Sequence, residues 1–177
     1  FLSTLISNNS KVDKVLRRET VLIKQEHDGF VLMNEQHKGN CLHCHTTDAN
    51  ALGTIGGFSN NGLDSIGESD AFIDPGLGAH SGIRGDYGKF KIPSLRNIAL
   101  TAPYMHDGRF KSLDEVLNFY NEHIKPSPTL DSKINVSARL PLGLSKAEKE
   151  KIIAFLHTLT DSSFISDNRF ANPFIQK

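Results

Sequence analysis

Two stretches in the second half of the chain carry apolar side chains at helical spacing, each directly behind a helix-start motif. The first motif is the capping box Ser112-Leu113-Asp114-Glu115, and the second is Ser145-Lys146-Ala147-Glu148. Behind the first, one face of the predicted helix carries Leu113, Val116, Leu117 and Tyr120. Behind the second, the apolar stripe consists of Ile152, Ile153, Phe155, Leu156 and Leu159. We therefore expect two amphipathic helices, the second ending near Thr160-Asp161, and we expect Tyr120 to point into the core.

The first half of the chain predicts one further helix and a long irregular segment. Apolar residues recur among charged ones from Val21 to Met33, which indicates a helix with some loss of regularity at Gly29. Ten of the 14 glycines lie from Gly53 to Gly88, where turn signals such as Asn60-Asn61-Gly62 break any helical period. Loops of this length in a compact domain usually carry function or are flexible.

Size and charge narrow the classes of function. A chain of 177 residues is long enough for one domain with a real core. Its 20 basic and 20 acidic side chains cancel, so we expect neither nucleic acid nor an anionic membrane surface as a partner. The longest apolar runs are far shorter than a membrane-spanning helix, so we expect no membrane span. Phe1 does not open a signal-peptide pattern, which predicts a processed form or a fragment.

The strongest chemical signal is Cys41-Leu42-His43-Cys44-His45, which contains both cysteines of the chain. Cys-x-x-Cys-His is the attachment motif of c-type haem, in which the thiols bond to the porphyrin and the histidine binds the iron. A thioredoxin-like redox pair or half of a zinc site also uses two cysteines, but neither has its supporting residues here. We therefore predict one covalent haem c on Cys41 and Cys44, with His45 as an axial ligand. Such a macrocycle would also form the core around which the loops pack.

The residue that faces His45 across the iron has to come from a distant segment, and four side chains are candidates. Met105 lies in a loop bounded by proline and glycine, a setting that presents a side chain rigidly, so composition alone favours it. Met33 lies on a predicted apolar helix face, where methionine is usually part of the core. Tyr120 and His106 have equally ordinary alternatives, as a core tyrosine and a hydrogen-bonding histidine.

A long segment resembles the signature of the bacterial dihaem cytochrome c peroxidases and MauG-like proteins. It runs through Phe90-Lys91-Ile92-Pro93-Ser94-Leu95-Arg96-Asn97 and Thr101-Ala102-Pro103-Tyr104-Met105-His106-Asp107-Gly108-Arg109-Phe110 to Leu113-Asp114-Glu115-Val116-Leu117-Asn118-Phe119-Tyr120. The likeness implies the C-terminal haem domain of that family, an all-α, cytochrome c-like domain with long irregular loops wrapped around one covalent haem. Residues 1–177 would form this single domain, with residues 1–20 as an interdomain helix.

The resemblance also implies roles for individual residues. The peroxidases of the family have a methionine ligand where this chain has Tyr120, and MauG-like members carry a tyrosine there, so the expected ligand changes from Met105 to Tyr120. A phenolate ligand stabilises ferric iron, which predicts a low-potential haem. Arg96 is expected to bind a haem propionate. The backbone carbonyls of Thr101 and Pro103 are expected to bind Ca²⁺, an ion that prefers oxygen ligands.

The family pairs this domain with an N-terminal domain that carries a second Cys-x-x-Cys-His motif and reacts with peroxide, and no such motif precedes residue 41 here. The resemblance thus implies a peroxidase-type oxidoreductase, of which this chain is the electron-transfer part, in the periplasm or otherwise exported. Expected partners are an electron-donor protein or redox substrate, and a second haem domain on a longer parent or on another chain, with a homodimer as one arrangement. The alternative is a stand-alone monohaem electron carrier without enzymatic turnover.

Overall fold

The computed structural model describes residues 5–36, 38–46, 56–66, 72–137 and 142–172 together with Phe174. Secondary structure in these residues is mostly helical, which agrees with the predicted class at that level. The α-helices are α1 (Lys11–Leu16), α2 (Lys24–Asn34), α3 (Gly78–Ser81), α4 (Leu113–Glu122), α5 (Ser132–Ser137), α6 (Lys146–His157) and α7 (Ser162–Ile165). Short 3-10 helices cover Cys41–His43, Arg84–Asp86, Ile98–Leu100 and Asn168–Phe170. Among the described residues, no helix is long and apolar enough to cross a membrane.

The centre of the core is the contact between α2 and α6. Ile152 and Phe155 of α6 are 0% and 1% exposed, and the ring of Phe30 in α2 lies 5.3 Å from that of Phe155. The helices approach closely because Gly29 stands at the crossing, where a Cβ would fall 2.6 Å from the carbonyl carbon of Lys151. The predicted loss of regularity at Gly29 is wrong, since α2 continues through this residue. Packing against α6 outweighs the weak helix propensity of glycine here.

Helix α4 begins where the sequence predicts. The Ser112 hydroxyl accepts from the backbone N–H of Glu115 at 3.2 Å, and the Glu115 carboxylate accepts from the N–H of Ser112 at 3.1 Å. The predicted buried face needs correction, because Val116 is only half-buried. Phe119, outside that face, is 3% exposed and packs its ring 5.7 Å from Phe110 in the preceding loop. Helix α4 is therefore covered on more than one side.

Helix α6 also begins at its predicted capping box, where the N–H and hydroxyl of Ser145 bond to the Glu148 carboxylate at 2.8 and 2.9 Å. It ends at His157, earlier than predicted. The chain tightens there, with the N–H of Thr160 bonded to the His157 carbonyl at 3.2 Å. Helix α2 begins at Lys24, slightly later than predicted. Errors of this size are usual, because helix ends pass into tighter turns.

A small antiparallel pair of strands lies partly within the segment predicted to be irregular. β1 (Phe58–Ser59) pairs with β2 (Phe90–Lys91), and the N–H of Ile92 adds a bond to the carbonyl of Gly57 at 2.9 Å. The all-α prediction omitted this pair, because strands of two residues leave no alternating pattern in a sequence. The pair leads directly into the loop at residues 60–63, which contacts α4.

Candidate haem-binding site

A cleft beside the Cys-x-x-Cys-His segment forms the candidate site. It holds about 730 Å³ of open space, counting its mouth, and its surface is mostly apolar. The residues that line it are Gly39, Asn40, Cys41, His43, Cys44, His45, Leu117, Tyr120, Ile124, Lys133, Ile134, Leu142, Leu144 and Ile152. The cleft thus brings together Cys41, Cys44 and His45, which are the predicted attachment residues, and Tyr120, which comes from α4.

A tight turn carries the motif to this cleft. The N–H groups of Cys44 and His45 both bond to the carbonyl of Cys41, at 3.2 and 2.9 Å, so the chain folds back within one helical turn. Asn40 starts the turn with a φ of 48°, a left-handed conformation that asparagine tolerates. Gly39 leaves room for the first thiol, since a Cβ there would lie 3.2 Å from Sγ of Cys41.

Partial burial affects the acidity of the two thiols of the motif. It raises the pKa of the Cys41 thiol to about 12 and also raises the pKa of the Cys44 thiol. A redox pair and a zinc site both need thiolates, which form in settings that lower the pKa of a thiol. Moreover, the described part of the chain holds no group of three or more His, Cys, Asp or Glu side chains that could bind a metal ion. The raised pKa values are in line with neutral thiols available for thioether bonds, and haem attachment stays a prediction.

A backbone carbonyl fixes the orientation of the His45 ring. Nδ1 lies 2.8 Å from the carbonyl oxygen of Pro93. Because a carbonyl can only accept, Nδ1 carries the proton and Nε2 keeps a lone pair. Burial lowers the pKa of His45 and the Pro93 carbonyl opposes this in part, so the ring is neutral at neutral pH. A neutral, oriented imidazole with a lone pair on Nε2 is the form that binds a metal.

Tyr120 points into the cleft, as the sequence predicts. Asn61 donates an amide hydrogen to its hydroxyl oxygen at 3.1 Å. Burial raises the pKa of Tyr120 to about 12, while the hydrogen bond from Asn61 acts in the opposite direction. A phenolate at this position therefore needs a cation beside it.

The other three candidates for the sixth ligand do not line the cleft. Met105 is half-buried and has a φ of 73°, a strained value for methionine. Its sulfur lies 3.6 Å from the amide nitrogen of Asn61. Met33 is 1% exposed and belongs to the core, as the sequence indicates. His106 lies at the surface.

Arg96 has a different partner from the one expected. Its Nη1 and Nη2 each donate to one carboxylate oxygen of Asp13 at 2.8 Å, and the two side chains are 9% and 6% exposed. Arg96 does not line the cleft. Its Nε is buried and has no hydrogen-bond partner within the described residues. In the structure, Arg96 joins α1 to the segment after β2. Binding of a haem propionate by Arg96 stays a prediction.

Thr101 and Pro103 lie in an exposed loop after the 3-10 helix at 98–100. The Thr101 hydroxyl donates to the carbonyl of Ile98 at 3.3 Å. Ligation by backbone carbonyls does not require a cluster of acidic side chains, so the lack of such a cluster in the described residues does not test it. Calcium binding therefore stays a prediction.

Two residues of the site carry no clear signal in the sequence. Pro93 acts through its backbone carbonyl, a group that every residue has, so the residue type gives no signal. Asn61 belongs to an Asn-Asn-Gly turn signal, but its contact with Tyr120 joins positions 59 residues apart. Only the fold brings these groups to the cleft.

The fold and the cleft together define the class of protein. Partly buried thiols, a neutral histidine with a free Nε2 and an apolar cleft are what a covalently attached haem would require, and the residues present fit that cofactor. The chain is mostly helical, and its cleft holds the side chains that a protein of the c-type cytochrome class would need.

Comparisons with known proteins specify the family, although no protein-family model matches. The chain is 32% identical over 184 aligned positions to the cytochrome-c peroxidase IdrP2 of Denitromonas iodatirespirans, covering 90% of this chain and 46% of that protein. It is 32% identical over 188 positions to the methylamine utilization protein MauG of Paracoccus denitrificans, covering 88% and 47%. The crystal structure of a MauG-like protein associated with microbial copper homeostasis matches with a TM-score of 0.79 at 34% identity, covering 96% and 53%.

The chain is thus related to the cytochrome c peroxidases and MauG-like proteins, as its sequence indicates. It spans about half the length of the curated relatives it matches.

Proposed function

We propose that the chain is the haem c domain of a peroxidase-type oxidoreductase and transfers electrons to or from a peroxide-reactive haem. The observation that carries the proposal is the cleft in which Cys41, Cys44, His45 and Tyr120 meet. The class of reaction is inferred from relatives named cytochrome-c peroxidase and MauG. Since the chain spans about half of those relatives, the activity of the whole enzyme is part of the proposal.

The residues of the cleft have separate tasks in this proposal. Cys41 and Cys44 would form the thioether bonds, and His45 would bind iron through Nε2 while the Pro93 carbonyl holds its ring. The apolar side chains of α4 and α6 along the cleft exclude water from the cofactor. The haem itself supplies the one-electron chemistry, and the protein sets its ligands, burial and orientation.

We propose Tyr120, in place of Met105, as the second residue that would bind the iron. Tyr120 lines the cleft, and Met105 does not. An anionic phenolate favours ferric iron more than a neutral thioether does, so we expect a low reduction potential. A low potential suits oxidative chemistry of the MauG kind better than electron shuttling at high potential.

The proposal extends to the protein of which this chain is a part. Because the chain spans about half of its relatives, we infer a second haem domain, on a longer parent chain or on another chain. An electron-donor protein or redox substrate, and a periplasmic or otherwise exported location, complete the proposal.

Mass and spectra of the purified holoprotein test the proposal. We expect one haem per chain by intact mass, and we expect the pigment to stay with the polypeptide in acidified organic solvent, because thioether bonds hold it. The double variant Cys41→Ala/Cys44→Ala should lose this attachment. Tyr120→Phe should change the electronic and electron paramagnetic resonance spectra, while the matched variant Met105→Leu should leave them unchanged.

Three results would contradict parts of the proposal. Pigment that extracts into the solvent would refute covalent attachment. A sulfur-to-iron charge-transfer band in the near infrared, lost in Met105→Leu, would refute the assignment of Tyr120. In the full-length protein, hydrogen peroxide should oxidise the previously reduced haem of this domain, and a haem that stays reduced would favour the monohaem electron carrier.

A further inference from the structure

Asn61 contacts both side chains that compete for the sixth position on the iron. Its Nδ2 donates to the hydroxyl oxygen of Tyr120 at 3.1 Å and to the sulfur of Met105 at 3.6 Å. An amide nitrogen carries two hydrogens, so both contacts form at once. A single carboxamide therefore connects the ligand that lines the cleft with the one that lies outside it.

The orientation of this carboxamide follows from the backbone. Oδ1 of Asn61 accepts the N–H of Leu63 at 3.2 Å. A backbone N–H can only donate, so the oxygen of the side chain has to face it and the nitrogen has to face the other way. Tyr120 and Met105 consequently meet a donor.

The loop that carries Asn61 is held in place on α4 and the segment that follows it. The neighbouring Asn60, 2% exposed, donates to the hydroxyls of Ser127 and Thr129 at 3.0 and 2.9 Å. Gly62 closes the loop with a φ of 75°, where a side chain would be strained, and its carbonyl accepts an N–H at 2.8 Å from the segment after α4. These bonds tie the loop to the segment after α4, while the bond from the N–H of Leu63 sets the direction of the Asn61 side chain.

We propose that Asn61 is the positioning residue that selects Tyr120 over Met105 as the ligand, an inference that rests on the proposed haem site and on ligation by Tyr120. A hydrogen-bond donor stabilises an anionic oxygen strongly and a thioether sulfur weakly. The amide therefore supports an oxygen ligand. Its second hydrogen points to the sulfur of Met105, a residue that does not line the cleft.

The variant Asn61→Asp tests this selection in the holoprotein. Aspartate has the same shape and still accepts the N–H of Leu63, but it presents only acceptors to Tyr120 and Met105. A hydrogen bond to a charged acceptor changes an equilibrium constant by roughly tenfold or more. We expect the ratio of Tyr120-bound to Met105-bound ferric haem to fall by about this factor. The sulfur-to-iron charge-transfer band should appear in the near infrared, and the reduction potential should rise.

The matched control is the same substitution one residue earlier. Asn60→Asp keeps the acceptor for the N–H of Gly62 and removes the donors to Ser127 and Thr129. It should lower the melting temperature and leave the ligand spectrum unchanged, because none of these partners touches Tyr120 or Met105. Adding Met105→Leu to Asn61→Asp should abolish the new sulfur band, which assigns that band to Met105.

The outcomes separate this inference from the proposed function. If Asn61→Asp keeps the parent spectrum and potential while Tyr120→Phe changes both, the role of Asn61 is wrong and the haem site stands. If Tyr120→Phe also leaves the spectrum unchanged, ligation by Tyr120 and the role of Asn61 are both wrong. If Asn61→Asp loses the Tyr120 spectrum without gaining a sulfur band, selection against Met105 is wrong.

Discussion

The buried ion pair between Asp13 and Arg96 predicts a large loss of stability when one partner loses its charge. Asp13→Asn keeps the shape of the side chain and an acceptor for Ser10, but leaves the guanidinium of Arg96, 9% exposed, without a counter-charge. Breaking a buried pair in this way costs about 3–5 kcal/mol. Since a domain is stable by roughly 5–15 kcal/mol in total, the variant should lose a large part of its free energy of unfolding.

The same pair predicts how stability depends on pH. Burial alone would raise the pKa of Asp13, but the hydrogen bonds from Arg96 and Ser10 and the charge of Arg96 outweigh it, so the pKa lies below its ordinary value of 3.8. The carboxylate therefore contributes its full stabilisation above this value and loses it as the pH falls through the lower pKa of the folded state. Asp13→Asn should lack this part of the acid dependence.

Urea denaturation of the holoprotein, followed by circular dichroism, measures the effect. The midpoint should fall in Asp13→Asn while the slope stays constant, since the surface exposed on unfolding does not change. The control is Glu19→Gln, which removes the charge from a surface pair with Arg17 whose side chains are 51% and 44% exposed. Surface pairs contribute little, so this variant should unfold near the parent midpoint.

Two results would refute the reasoning about the pair. An Asp13→Asn midpoint no lower than that of Glu19→Gln would mean that Arg96 does not depend on Asp13. The double variant Asp13→Asn/Arg96→Met removes both charges and should recover much of the lost stability. If Arg96→Met shifts the haem spectrum and Asp13→Asn does not, Arg96 acts on the cofactor instead.

Three further substitutions test the packing and the helix ends. Gly29→Ala should destabilise the protein by about 1–3 kcal/mol in the same urea assay, because its methyl group meets the Lys151 carbonyl. The control Gly85→Ala should not destabilise it, because nothing lies within 4 Å of the new methyl group. Hydrogen bonds from the Ser145 backbone and from Lys38 lower the pKa of Glu148 to about 2. Glu148→Gln should therefore flatten the loss of stability between the ordinary pKa of 4.5 and about 2 in an acid titration. Ser112→Ala should cost about 1 kcal/mol, since the first turn of α4 loses its cap; a cost near zero would mean that this cap does not hold.

The sequence predicted the parts of the structure that depend on neighbouring residues. The capping boxes at Ser112 and Ser145 define helix starts within four residues, and the haem motif spans five. Tyr120 could be placed on the inner side of α4 because helical spacing fixes which residues share a face. These predictions agree with the structure because they depend only on residues close in the sequence.

The parts that could not be predicted depend on contacts across the chain. The bond between His45 and Pro93 joins positions 48 residues apart, and the pair of Asp13 and Arg96 joins positions 83 apart. No local pattern encodes such partners. Gly29 also shows the effect of a distant contact. Its weak helix propensity predicted an irregular helix, but α2 is continuous there, because only a residue without a side chain lets α2 approach α6.

The stretch from Pro93 to Arg96 holds two distant parts of the chain at once. The carbonyl of Pro93 holds the imidazole ring of His45 in one orientation, and Arg96 forms an ion pair with Asp13 of α1. A shortened chain that starts after Leu16 would retain all of Cys-x-x-Cys-His. It would lose Asp13, however, and with it the ion pair that holds the segment whose Pro93 carbonyl orients His45. Protein engineers who shorten this domain should therefore cut ahead of Ser10.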